Sequence, residues 1–338
     1  MNPLDVARLG AAYATSLAAY AVGGTPRPFS ASFSVTDRCN LRCAYCNFPN
    51  LADRELTTAE IGTLFERLWR MGIRRLGIVG GEPMVRKDLP AILQLAKQKG
   101  FFLTVNSNLT LFDRVPDALG AADLILTSLD GDGSQAEHER ERGDGSHDGV
   151  LAAIETLVRR GQRVVAISVV RDADVDVAKR LLERAAKLGI GIHFQAQCVD
   201  APVVRGALPP GLVNAHMRHF WQELEALRRE GAAIASSGDY LQALARWPDF
   251  RQSARLVAGE RCAAGRGFLF IDPVGRGWPC AYTRGVAGSV DLLADSWAES
   301  WNRETPCNTC SVGPMLEFNV LFKRPLSAAS NALASYLL

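Results

Sequence analysis

The run Cys39-Asn40-Leu41-Arg42-Cys43-Ala44-Tyr45-Cys46 follows the apolar stretch 31–35 and carries three thiols with gaps of three and two residues. Thiolates this close can close around one face of a cubic iron–sulfur cluster. A [4Fe–4S] cube normally takes four cysteines, so three leave one iron open to bind and reduce another molecule. The competing assignments are a zinc knot or three unrelated thiols. Zinc asks for a fourth ligand nearby, and Asn47, Phe48 and Pro49 offer no sulfur or imidazole.

Outward from this motif the chain alternates. Short apolar, β-branched runs fall at 31–35, 75–79, 102–106, 124–129, 164–170 and 191–197. Helical patterns separate them at 57–71, 89–98, 148–160 and 175–187, the first opened by the capping-box pattern Thr57-Thr58-Ala59-Glu60. Strand–helix alternation with continuous apolar strands predicts an α/β fold, a parallel sheet covered by helices. In such folds the site lies at the C-terminal ends of the strands, where loops converge.

Glycines and polar residues fall at those ends: Gly80-Gly81-Glu82-Pro83, Asn106-Ser107-Asn108, Ser128-Leu129-Asp130-Gly131, then Arg142-Gly143 and Gly145-Ser146-His147-Asp148. Taken singly, such segments read as loop punctuation. In this order, downstream of the three-cysteine run, they resemble the radical S-adenosylmethionine (radical SAM) superfamily over residues 29–197. The resemblance implies a partial (β/α)6 barrel. It also implies a [4Fe–4S] cluster on Cys39, Cys43 and Cys46, whose open iron chelates the amino and carboxylate groups of SAM. One electron then splits SAM to a 5′-deoxyadenosyl radical. By the same resemblance Gly80, Gly81 and Glu82 hold the SAM amino group, Asn106 begins an altered Thr-Asn-Gly element, and Ser128 and Asp130 meet the ribose and methionine parts. Arg142 grips the carboxylate as a planar bidentate donor, and Tyr45 packs against adenine. Asn108 replaces the family glycine with a residue that tolerates left-handed backbone, and His147 stands where the family has Phe.

A second set, Cys262, Cys280, Cys307 and Cys310, follows in the last third of the chain. Asp272-Pro273-Val274-Gly275 is a turn signal, so a β-hairpin can bring Cys262 toward Cys280, and Cys307-Asn308-Thr309-Cys310 adds a chelating pair. Spacing alone also suits zinc. The wording resembles the SPASM/twitch auxiliary domain of radical SAM enzymes, which implies a second, auxiliary [4Fe–4S] cluster with every iron ligated by protein and a role in electron transfer or structure. Cys198, beside the sixth strand, is a candidate hydrogen-atom donor to a substrate radical, against the plainer reading of a small buried residue. His193 reads as barrel core or wall, and His216 and His219 as surface or packing residues.

The 338 residues hold 48% hydrophobic and 22% charged side chains with a net charge of +2. This is ordinary globular composition with no basic patch for nucleic acid. Seven of the eight cysteines fall in two sets at metal-ligand spacings, which points to the cytoplasm rather than to disulfides. Leu9, Tyr13, Leu17 and Tyr20 recur at helical spacing, and residues 326–338 carry no charge. These apolar ends are expected to pack on their own domain, with peripheral membrane contact as the alternative. The expected divisions are a helical segment 1–28, the core barrel 29–210, a helical connector 211–258 and the auxiliary domain with its tail 259–338. The expected activity is hydrogen abstraction leading to oxidation or rearrangement of a small biosynthetic metabolite, fed by a flavodoxin- or ferredoxin-type reductant. Alternatives are modification of a ribosomally made precursor peptide, chemistry on a lipid or isoprenoid, and a non-catalytic electron carrier. A short region before the barrel weighs against the peptide reading.

Overall fold

A computed structural model describes residues 3–22, 28–46, 54–199, 214–285, 288–296 and 305–323. In chain order the elements are α1 (Pro3–Ala21), β1 (Ser30–Ser34), α2 (Thr58–Met71), β2 (Arg75–Val79), α3 (Leu89–Lys99), β3 (Phe102–Asn106) and β4 (Leu124–Ser128). There follow α4 (Gln135–Arg142), α5 (His147–Arg159), β5 (Val164–Val170), α6 (Val175–Leu188), β6 (Gly191–Ala196), α7 (Asn214–Arg229) and α8 (Gly238–Ala245). The remaining elements among the described residues are β7 (Ala254–Arg255), β8 (Phe268–Ile271), β9 (Arg276–Trp278), β10 (Val290–Asp291), β11 (Thr309–Cys310) and α9 (Gly313–Lys323). From β1 to β6 strands and helices alternate as in the partial (β/α)6 barrel, except that a single 3-10 turn at Phe112–Arg114 takes the place of a helix between β3 and β4, and two helices lie between β4 and β5.

Two compact units divide the chain. Met1–Asn40, Phe48–Ile125 and Cys262–Pro306 make the first, and Leu41–Asn47, Leu126–Arg261 and Cys307–Leu338 the second. In the first unit strands lie in the order β10-β9-β8-β1-β2-β3, with β1 parallel to β2 (Ser30 opposite Arg75) and β2 parallel to β3 (Arg75 opposite Phe102). Helix α2 starts where it does because Thr57 and Glu60 form the reciprocal capping box, and it stops at Gly72, whose φ of 100° only glycine adopts freely. Ile61, Leu64, Phe65 and Leu68 recur on one face of α2 and are buried. Phe65 meets Phe33 of β1 edge-on at 6.2 Å between ring centroids, an aromatic geometry that adds about 1 kcal/mol beyond burial. Helix α1 packs on this unit: Leu9 is buried, and Asp5 accepts from Lys97 Nζ at 2.8 Å.

The expected hairpin is present. Asp272 Oδ1 accepts from Val274 N and Arg276 N, and its Oδ2 accepts from Trp278 Nε1, which turns β8 back into antiparallel β9. The sequence did not suggest where the hairpin docks: β8 runs parallel to β1, Ser30 opposite Phe268.

In the second unit β5 and β6 pair in parallel, Val165 opposite Gly191. Tyr240 of α8 donates to the Phe194 carbonyl of β6 at 3.0 Å, which anchors α8 to the strand. Glu317 of α9 accepts from Ser237 N and Oγ at 2.8 and 2.6 Å, at the N-terminus of α8. Short β7 pairs with β11, so Cys310 stands opposite Ala254. Among the described residues no helix is long and apolar enough to cross a membrane.

Candidate active site

In the first unit, β2 ends at Val79 and the next two residues are Gly80 and Gly81. Gly81 N donates to Thr36 O at 2.9 Å and Glu82 N to Arg38 O at 2.8 Å. A Cβ at Gly80 would lie 2.4 Å from Thr36 O, and one at Gly81 2.3 Å from Arg38 O. Real Cβ atoms do not come so close. The glycine pair therefore lets this turn lie directly on residues 36–38, the segment that delivers Cys39. Glu82 is 1% exposed; its Oε1 accepts from Met84 N and Ser107 Oγ, and its Oε2 from Asn108 N at 2.6 Å. The end of β2 is thus braced against the end of β3.

Asn106, the residue singled out from sequence, is half-buried at the end of β3, and its neighbours Ser107 and Asn108 make these bonds. Asn108 Nδ2 donates to Asn40 Oδ1 at 3.0 Å and lies 3.9 Å from Cys39 Sγ. The left-handed residue of this turn is Leu109, with φ 58°, rather than Asn108.

In the second unit the hub is Asp130, 0% exposed. Its Oδ1 accepts from Val169 N at 2.9 Å, and its Oδ2 from Tyr45 OH at 2.8 Å and Arg142 Nε at 2.6 Å. Arg142 closes the triangle by donating to Tyr45 OH and sets Nη1 3.9 Å from Cys43 Sγ. Burial raises the Tyr45 phenol well above its ordinary pKa, so it stays protonated and donates. Ser128 is half-buried at the end of β4.

Helix α4 has no apolar stripe to betray it, being Gln-Ala-Glu-His-Glu-Arg-Glu-Arg. Its start is marked only by Ser134, whose side chain accepts from Glu137 N. Yet α4 carries the groups that fix this hub. Ala44 N, inside the cysteine run, donates to Glu141 O at 2.8 Å, and Glu141 pairs with Arg171. Asp130 N donates to His138 Nδ1 at 3.3 Å, while His138 Nε2 has no hydrogen-bond partner among the described residues. Burial first, then Arg142, lower the His138 pKa from 6.5 to about 4.

A pH dependence follows. Folded His138 binds its proton less readily than the unfolded chain does, and burial lowers His193 likewise, to about 3. Their stabilisation is complete above pH about 6.5 and is lost as pH falls toward about 4 for His138 and about 3 for His193, on the order of 3 kcal/mol for His138. Burial pushes Glu317 the other way, up to about 7, so its contribution is lost as pH rises from about 4.5 to 7. Denaturant titrations at successive pH values should show stability falling below pH 6.5, and a His138→Gln variant should flatten that slope.

None of the eight cysteines forms a disulfide; Cys39 and Cys46 are exposed, Cys43 and Cys307 intermediate, and Cys198, Cys262, Cys280 and Cys310 buried. Cys262 Sγ accepts from Ala264 N at 3.4 Å. Among the described residues no three His, Cys, Asp or Glu side chains come together as a metal site. The donor chemistry of the cysteine run nevertheless suits an iron–sulfur cluster. Its thiols are solvent-accessible, and N–H groups of Asn108 and Arg142 approach Cys39 and Cys43, the kind of contact that tunes cluster potentials. His216 and His219 of α7 are exposed.

Residues 33–185 match the family model of the Radical SAM superfamily. Over these residues the chain carries a radical SAM domain. As a radical SAM enzyme it works with S-adenosylmethionine and a [4Fe–4S] cluster. It is 26% identical over 280 residues to the mycofactocin maturase MftC of Mycolicibacterium smegmatis, covering 79% of this chain and 68% of that protein. It is 32% identical over 204 residues to a probable GTP 3′,8-cyclase of Methanopyrus kandleri, covering 59% of this chain and 66% of that one. Streptococcus suis SuiB, solved bound to its precursor peptide SuiA, shares the fold: TM-score 0.66 at 14% identity over 83% of this chain and 66% of that one.

Proposed function

We propose that this radical SAM enzyme abstracts a hydrogen atom from a small biosynthetic metabolite and oxidises it by two electrons, at a carbinol-type carbon. The observation that carries the reading is the cysteine run, whose leading segment lies under the Gly80-Gly81 turn. Cys39, Cys43 and Cys46 would hold the first cluster. Bound together, cluster and SAM supply a 5′-deoxyadenosyl radical by one-electron cleavage of the sulfonium. Gly80 and Gly81 would meet the SAM amino end through their backbone carbonyls, and Ser128 would offer a hydroxyl to the ribose. Arg142, oriented by Asp130, presents a planar cation for the SAM carboxylate. Tyr45 holds an aromatic face for adenine, its hydroxyl tied back to Asp130.

Cys262, Cys280, Cys307 and Cys310 would hold an auxiliary [4Fe–4S] cluster. Four protein ligands would leave no open iron, so this cluster would supply electron transfer or structure rather than a substrate-binding site. A second reading, a peptide substrate, is suggested by the fold shared with SuiB, which was solved bound to its precursor peptide SuiA.

Anaerobic protein with SAM and dithionite should release 5′-deoxyadenosine, and none under reconstituted conditions would sink the enzyme reading. Iron should measure about eight per chain and fall to about four when Cys39, Cys43 and Cys46 are all replaced by alanine. Zinc without iron in that variant refutes the auxiliary cluster. Turnover on deuterated cell extract, split by ultrafiltration, separates the substrate classes: deuterium enters 5′-deoxyadenosine from the small-molecule fraction under the first reading and from the peptide fraction under the second.

A further inference from the structure

We infer that Arg284, from the segment after Cys280, is a positioning residue for the first cluster: its buried pair with Asp37 sets the chain that enters Cys39. Arg284 Nη1 and Nη2 donate to Asp37 Oδ1 and Oδ2 at 2.9 and 2.7 Å, across 247 positions of sequence. The pair is bidentate, the most directional form of such contact. Both residues are buried, Asp37 at 3% and Arg284 at 8% exposure, and Ser34 Oγ adds a longer bond to Asp37 at 3.4 Å.

Each end is stiffened locally. On one side, the segment 36–38 is held by the Gly81 and Glu82 amides as described. On the other, Cys280 N donates to Thr283 Oγ1 at 3.2 Å and Thr283 Oγ1 donates to Cys280 O at 2.7 Å, immediately before Arg284. One continuous set of bonds therefore runs from Cys280 through Thr283 and Arg284 to Asp37, two residues before Cys39.

A buried ion pair is a poor source of stability compared with apolar packing of the same size, and its best-attested use is to fix one geometry. Its charges also suit this place. A cluster held by thiolates is anionic, and an unpaired Asp37 carboxylate nearby would repel it; Arg284 cancels that charge. Lysine keeps the charge but not the planar fork, so the two contributions can be separated.

The inference rests on the reading that Cys39, Cys43 and Cys46 hold the SAM-binding cluster. Its test uses the full chain, reconstituted anaerobically, as wild type, Arg284→Met, Arg284→Lys and the double variant Asp37→Asn/Arg284→Met. Iron per chain is measured together with the electron paramagnetic resonance spectrum of the dithionite-reduced protein, with and without SAM. Wild type should show a cluster signal that SAM changes; without one, the underlying reading fails rather than this inference. In Arg284→Met the SAM-induced change should fall at least several-fold, with iron dropping toward about four per chain. The double variant should recover much of it, because no buried carboxylate is left unpaired. Arg284→Lys should keep its iron but show an altered SAM-induced spectrum. A wild-type SAM response in Arg284→Met overturns the inference, as does loss of the other cluster alone. Should Arg284→Met fail to fold, Arg284→Lys decides: an unaltered spectrum overturns, a changed one supports.

Discussion

Gly81→Ala is expected to abolish SAM cleavage. The added methyl would sit 2.3 Å from Arg38 O, 2.6 Å from Arg38 C and 2.8 Å from Asp37 O, and all three atoms are backbone, so no side-chain rotation relieves it. Overpacking usually costs about 1–3 kcal/mol and more when the neighbour cannot yield. The neighbour here is the lead-in to Cys39, so relief must come from shifting that segment. A displacement of about 1 Å in a reacting geometry can cost about 100-fold in rate. We therefore expect 5′-deoxyadenosine formation to drop at least about 100-fold, with lowered iron content after reconstitution. Gly62→Ala is the matching control: it lies within α2 and its Cβ would meet nothing within 4 Å, so it should gain about 0.5–1 kcal/mol. Equal iron content and turnover in the two variants would remove the packing argument for the glycine pair.

How far the sequence could be read differs between fold and site for a physical reason. Strands expected at 31–35, 124–129 and 191–197 appear as β1, β4 and β6 with ends shifted by no more than one residue, because buried strands favour short runs of small, apolar and β-branched residues. The capping box at Thr57 and Glu60 is a local contract, visible in four letters and kept in space. Helix α4 escaped because its stabilisation comes from its Ser134 start and its buried His138 and Glu141, not from an apolar stripe. Motif spacing located Glu82 and Asp130 but not their bonds: Ser107 and Asn108 meet Glu82 only once β2 and β3 align. Nothing local announces that β8 will run beside β1, or that Arg284 will find Asp37. Such partners are chosen by the packed fold, and adjacent residues carry no trace of them.

Arg142→Met should be the most damaging single change in the second unit. It removes the guanidinium that pairs with Asp130 at 2.6 Å and leaves that carboxylate, 0% exposed, with its charge unmatched. Breaking a buried pair from one side costs about 3–5 kcal/mol, mostly the penalty of the stranded partner. Val169 N and Tyr45 OH still donate to Asp130, which places the loss toward the lower end of that range. Adding Asp130→Asn should therefore hurt less than the sum of the two single changes, with a coupling of about 0.5–3 kcal/mol in a double-mutant cycle read by denaturant unfolding. Activity should not recover with stability. Arg142 also bonds Tyr45 OH and sits 3.9 Å from Cys43 Sγ, and the asparagine restores neither contact. Stability rescued while SAM cleavage stays lost is the expected signature of a residue that both closes a buried charge and shapes the cysteine loop. Additive stability losses would show that the pair is not coupled, and rescue of both properties would assign Arg142 to the scaffold alone.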